Sequence, residues 1–231
     1  MAKHPNAPRH GPESPDDRFV ASVMAASDWF KRHARVVTIA TVLLVILVAG
    51  TVYWIRYQST LRAAASAELS AIRQTVAVGN VPLALRDLST YLESFGGTPS
   101  AAEARLMMAQ LLLVEGRNDE AVDAVAPVAS DLADPLGTSA ARLAAAAHEQ
   151  AERWDEAEQE YLRISRDAPR AFERTRALAD AARLRLLQED AAGAVELYRQ
   201  ALDGIDEDDP QAAFLRLRLG EAEAMAEPPD A

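Results

Sequence analysis

The sequence predicts an all-α protein: a single N-terminal transmembrane helix followed by a solenoid of about four helix pairs and a capping helix. Three observations carry that prediction. Residues 36–55, VVTIATVLLVILVAGTVYWI, are twenty consecutive residues without a charge. The chain beyond them is rich in Ala and Leu and shows little of the alternation that marks strands. Within it, alanines recur at 84, 121, 157 and 194, at spacings of 37, 36 and 37.

Residues 1–15, MAKHPNAPRHGPESP, contain four prolines and almost nothing apolar, so they are expected to be a disordered tail. Over 16–35 the character changes. Phe19, Val23 and Phe30, with Ala26 between them, fall on one helical face, which predicts an amphipathic helix leading into the span. The alternative is a polar tail with incidental apolar residues.

The span itself would reach about 30 Å as a helix, the thickness of a bilayer's hydrocarbon core. Twelve of its twenty residues are Val, Ile or Leu. Lys31, Arg32 and Arg35 lie directly before it, whereas Arg56, Arg62 and Arg73 are spread out after it. Positive charge concentrates on cytoplasmic flanks, so the N-terminus is expected in the cytoplasm and the large domain outside it. Trp29 and Phe30 on one side, and Tyr53, Trp54 and Tyr57 on the other, suit the two interfaces. A cleavable signal peptide fits poorly, because no small-x-small site follows cleanly and Tyr53-Trp54 come only three residues after Gly50.

Charge divides at the same place. Residues 1–56 carry seven Lys/Arg and four Asp/Glu; the remaining chain carries 17 Arg, no Lys and 31 Asp/Glu. A domain of net charge −14 (17 minus 31) does not offer a nucleic-acid groove, which needs clustered positive charge. Zero cysteines exclude disulfides, thiolate nucleophiles and Cys-ligated zinc.

The domain over 57–226 is built from repeating blocks: GNVPLALRDLSTYL (79–92), GRNDEAVDAVAPVA (116–129), ERWDEAEQEYLRIS (152–165) and EDAAGAVELYRQAL (189–202). Each places an alanine (Ala84, Ala121, Ala157, Ala194) four residues before a larger apolar one (Leu88, Val125, Tyr161, Tyr198). Prolines 99, 135, 169 and 210 follow the blocks. Before each block lies another apolar segment: 63–78, 101–115, 139–151 and 172–188. The unit is helix, tight turn, helix. Two antiparallel helices that cross closely need a small side chain on one to admit the bulk of the other. This pattern resembles the tetratricopeptide (TPR) repeat, with WDEAEQEYLRISRDAP the best match. Leu219-Gly220 resembles the Leu-Gly pair of a first repeat helix, which predicts a capping helix over 211–226 and a disordered end at 227–231. Leu61, Ala65, Leu69, Ile72 and Val76 form one stripe, read as the buried face of the first repeat helix; a short dimerising coiled coil is the alternative.

Catalytic and metal-binding patterns are missing. His148 is the one histidine of the domain and lacks a helical partner for zinc. No glycine-rich phosphate loop occurs, and the acidic run at 206–209 lacks the glycine and glutamate of a calcium loop. No cofactor, metal or enzymatic activity is expected.

What remains is a surface. In the TPR register the first helices line the concave face. Counting from the repeat alanines places Leu106, Gln110 and Leu113 there from the second unit, Arg142, Ala146 and Glu149 from the third, and Ala179, Arg183 and Leu186 from the fourth. Such a mixed face suits an extended or helical peptide. The alternative is a register shifted by one, with the leucines facing the core.

The whole layout (DWFKRHAR before the span, Tyr53-Trp54 at its exit, then divergent TPR units) resembles the YfgM-like ancillary subunit of the SecYEG translocon. That resemblance implies a bacterial inner-membrane protein with a periplasmic TPR domain. Its implied partners are translocon subunits, periplasmic chaperones or client polypeptides. A scaffold for another envelope assembly, in cell-wall synthesis or outer-membrane biogenesis, is the alternative.

Overall fold

The computed structural model describes residues 33–206 and 208–227, and every regular element among them is a helix. The expected tail at 1–15, residues 16–32 of the pre-membrane segment and residues 228–231 lie outside the described residues. Two units are distinguished, 1–59 and 60–231.

Helix α1, Ala34–Ala77, begins in the first unit and ends in the second. In the first, Val36 and the apolar side chains from Ile39 to Ile55 are exposed, with Leu43, Leu44 and Val45 each showing 60% of their surface. Side chains of this kind are not stable in numbers against water, and a lipid solvent removes the cost. Thr38 and Thr51 donate their hydroxyls to the carbonyls of Ala34 and Leu47 at 2.8 Å, which satisfies both without water. Among the described residues, α1 is the one helix long and apolar enough to cross a membrane.

In the second unit α1 buries a single stripe. Ala65, Leu69 and Ile72 are buried and Leu61 and Val76 half-buried, the five residues that the spacing singled out. They share one core with Ala84 and Leu88 of α2 (Val81–Phe95) and with Ala104 and Leu112 of α3 (Ser100–Val114). The stripe is therefore the inner face of a repeat helix, and a dimerising stalk is not needed to cover it.

The remaining helices follow as pairs: α3 with α4 (Asn118–Ala129), α5 (Gly137–Gln150) with α6 (Trp154–Asp167), and α7 (Ala171–Leu187) with α8 (Ala191–Asp203). Helix α9 (Pro210–Ala226) ends the series. From α2 onward each helix packs on the next in sequence, and α3 also touches α5, so consecutive first helices are neighbours. This is a solenoid, stabilised by repeat-to-repeat stacking. The four repeat alanines have no exposed surface, and Leu88, Val125, Tyr161 and Tyr198 are buried beside them. Prolines mark the start of the next first helix: Pro99 is the N-cap residue of α3, and Pro210 opens α9 behind Asp209, whose carboxylate accepts from the Gln211 N–H at 2.8 Å.

Every turn inside a pair has the same backbone. Gly79, Gly116, Glu152 and Glu189 adopt φ of 79°, 71°, 57° and 63°. The N–H groups that follow (Asn80, Arg117, Arg153, Asp190) donate to the carbonyls five residues back, at 3.4, 2.9, 2.9 and 2.8 Å. That is the Schellman closure, which demands a left-handed residue and favours glycine. A residue with a Cβ costs about 1–2 kcal/mol there. Glu152→Gly and Glu189→Gly are each expected to stabilise by about 1 kcal/mol, the gain being reduced by the greater freedom of unfolded glycine. A rise in the denaturant midpoint checks this, and no rise at either position would contradict the strain.

The extra residues of the second unit form the loop 130–136, folded on itself by Asp131 and Asp134 carboxylates that accept from Ala133 and Leu136 N–H groups at 2.9 and 2.7 Å. The loop closes against Gly137, where a Cβ would lie 1.9 Å from the Asp131 carbonyl oxygen. Backbone must move to relieve such a contact. Gly137→Ala is expected to cost about 1–3 kcal/mol, read as a lower midpoint at unchanged m-value.

Candidate functional site

The expected groove residues lie on the first helices, three each on α3, α5 and α7. Gln110 is exposed; the other eight are half-buried. Leu106 and Leu113 pack sideways against the main core, and Ala179 and Leu186 against the C-terminal one. The leucines thus divide their surface between the core and solvent.

The charged members are drawn together. Arg183 on α7 donates through Nη2 to both Glu149 oxygens on α5, at 2.8 and 2.7 Å. The Tyr161 hydroxyl, from α6, donates to Glu149 Oε1 at 2.6 Å. Arg142 Nη1 pairs with Asp180 Oδ2 at 2.8 Å, too bent for a hydrogen bond, and its guanidinium lies 5.9 Å from the Tyr161 ring centroid. Burial, and then the hydrogen bond to Glu149, push the Tyr161 hydroxyl well above the ordinary tyrosine range. It stays protonated and remains a donor.

Two arginines and two carboxylates cancel, so this mixed face is close to neutral. Each pair joins neighbouring repeats: 142 to 180 and 149 to 183 are 38 and 34 residues apart, about one repeat period. Tyr161 and Asp180 were missed as members. Opposite charges one period apart on adjacent first helices are the signal that finds Asp180. Tyr161 was assigned only its packing role, which it also fills.

Beyond this network, a cleft of about 390 Å³ opens between α7 and α9, lined by Ala179, Arg176, Phe214 and Leu215 among others. A second, of about 460 Å³, lies over α2, α3 and α4, with Met108 and Leu112 at its floor and Glu93, Glu120 and Asp123 at its rim. His148 Nδ1 accepts from Arg153 Nε at 3.2 Å, and burial, with Arg153 beside it, holds its pKa below the usual value. Among the described residues, no three His, Cys, Asp or Glu side chains are grouped to hold a metal ion. The chemistry on offer is hydrogen bonding, charge pairing and apolar contact.

Paired helices, a left-handed residue at each tight turn and alanines at each crossing define a TPR-type repeat, and the tetratricopeptide repeat-like domain family matches residues 27–224. The chain belongs to that family. The match begins ahead of the uncharged stretch, so the apolar helix is included in the TPR-like region. Solved structures agree on the fold. A tetratricopeptide repeat protein of Parabacteroides merdae superposes with a TM-score of 0.55 at 14% identity, over 70% of this chain and 61% of that one. The nearly identical TPR-like repeats of a Podosopora anserina chain described as a kinesin light chain give 0.55 at 17% identity, over 71% and 88%. Pseudomonas aeruginosa pilF gives 0.50 at 21% identity, over 72% and 75%. No curated protein matches the sequence at a significant level. TPR-like domains generally mediate protein–protein interaction.

Proposed function

We propose that this TPR-like protein is a membrane-anchored, non-enzymatic adaptor that binds protein segments with a chaperone-like role, beside the protein translocation machinery and on the periplasmic side. The observation that carries the binding role is the first-helix face. Leu106, Leu113 and Leu186 are half-buried there and keep part of their surface open, and the Arg142–Asp180 and Arg183–Glu149 pairs leave the face neutral between them. A neutral face with apolar positions accepts segments of varied sequence, as a holder of emerging clients must. The placement beside the translocon rests on the resemblance of the DWFKRHAR flank, the span and the Tyr53-Trp54 exit to YfgM-like subunits. The periplasmic orientation rests on the charge asymmetry across the span.

Two measurements test this. A reporter active only outside the cytoplasm, fused after Ala231, is expected to be active; a stable but silent fusion would reverse the orientation. Purification of the full chain from mild detergent is expected to recover translocon subunits. Recovery of cell-wall or outer-membrane assembly components alone would instead favour the scaffold role.

A further inference from the structure

The cleft of about 460 Å³ over α2, α3 and α4 is walled by two small residues, Ser89 of α2 and Ala124 of α4. Ser89 stands five residues after its repeat alanine, Ala84, and Ala124 three after Ala121. The same steps lead to Ala126 and Glu160 between α4 and α6, and to Leu162 and Leu197 between α6 and α8. At those two interfaces the chain fills the corresponding space itself. Arg163 of α6 reaches back to α4, donating to the Ala129 carbonyl at 3.0 Å and to Glu160 at 2.8 Å. Leu162 and Leu197 are half-buried against the main core. Between α2 and α4 the residue matching Arg163 is Pro127, which has no cation to offer. The array continues on both sides of this cleft, so its opening does not come from where the repeats stop.

The walls carry the same two chemistries that fill the other interfaces. Leu92 and Met108 are half-buried and give the cleft an apolar floor. Glu93 and Asp123 are exposed at its rim, and their carboxylates make no ion pair or hydrogen bond among the described residues. The other charges are engaged within the chain: Glu120 with Arg117, and Arg105 through the Ala124 carbonyl at 3.4 Å. Met108 and Leu112 lie on a different face of α3 from Leu106, Gln110 and Leu113, because residues two apart on a helix do not share a face. This cleft is therefore separate from the first-helix face.

We infer that the cleft docks a segment of a partner protein that sets a large apolar side chain on Leu92 and Met108 and a lysine or arginine against Glu93 and Asp123. Charge complementarity selects the cation, and the surplus of carboxylates over the whole domain favours the same partner at longer range. The inference stands apart from the translocon reading and from the orientation of the span.

Panning random peptides of about twelve residues on the full chain in detergent tests it. The enriched peptides are expected to join Lys or Arg to a large apolar residue. Ser89→Leu, at an exposed position, supplies the leucine that α6 carries there and should weaken their binding about tenfold with helicity unchanged. Glu93→Gln and Asp123→Asn should each weaken it about threefold. Asp203→Asn, which removes the same charge from α8, and Gln110→Leu on the first-helix face should leave it unchanged. Enrichment of acidic or uncharged peptides, or no enrichment, would overturn the inference. So would binding that Ser89→Leu does not weaken, or that Asp203→Asn weakens as much as Asp123→Asn does, which is attraction by net charge alone.

Discussion

Tyr198→Ala is expected to cost about 3–5 kcal/mol, the range for deleting a large buried aromatic side chain. Tyr198 is 1% exposed and sits among Ala182 of α7, Ala194 and Ala201 of α8, and Leu215 and Ala222 of α9. It therefore holds three helices at once. Helix α9 buries only Ala212, Leu215 and Ala222 of its own residues, so it has little else to keep it docked. In a solenoid the loss is local, because each repeat is stabilised by its neighbours alone. Hydrogen exchange should show protection falling across 171–226 while the core around Leu88, Tyr91 and Leu112 keeps its slow amides. Tyr198→Phe keeps the ring and should lose only about 1 kcal/mol. Uniform loss of protection from α2 to α9 would mean that the array unfolds as one unit, against the repeat-by-repeat account.

The parts of this fold that were legible in the sequence are those fixed by packing. Ala157 must be small because two helices cross at it, and the same need recurs at Ala84, Ala121 and Ala194, so the period shows in the residue types. The stripe from Leu61 to Val76 was legible for the same reason. Turn chemistry was half legible. Gly79 and Gly116 announce a left-handed residue, but Glu152 and Glu189 occupy the same conformation with no sequence signal, because the backbone closure around them outweighs a cost of about 1–2 kcal/mol. The site was less legible again. Periodicity assigns Arg142, Glu149 and Arg183 to first helices, yet it does not set which way a long side chain turns. Their mutual pairing depends on the stagger between the neighbouring first helices α5 and α7, which the repeat period alone does not fix.

Two arginines in the middle of the span, Val45→Arg with Val48→Arg, are expected to release the protein from the membrane. The twelve Val, Ile and Leu residues of 36–55 contribute roughly −4 to −7 kcal/mol to insertion, at about −0.3 to −0.6 each. Each central arginine adds about 2.5–3.5 kcal/mol and removes a valine, so the pair cancels the gain and a single substitution does not. Alkaline extraction of membranes should leave the wild type and the Val45→Arg chain in the pellet and move the double variant into the supernatant. The dose dependence distinguishes a spanning helix from one that merely docks on another protein, where one charge on the docked face suffices to break contact. Residues 60–231 are a separate unit whose core includes none of the span, so the released double variant should keep the helicity and thermal midpoint of that unit. A wild type extracted as readily as the double variant would show that α1 does not cross the bilayer, and the anchored part of the proposed function would fall while the TPR-like binding face stood.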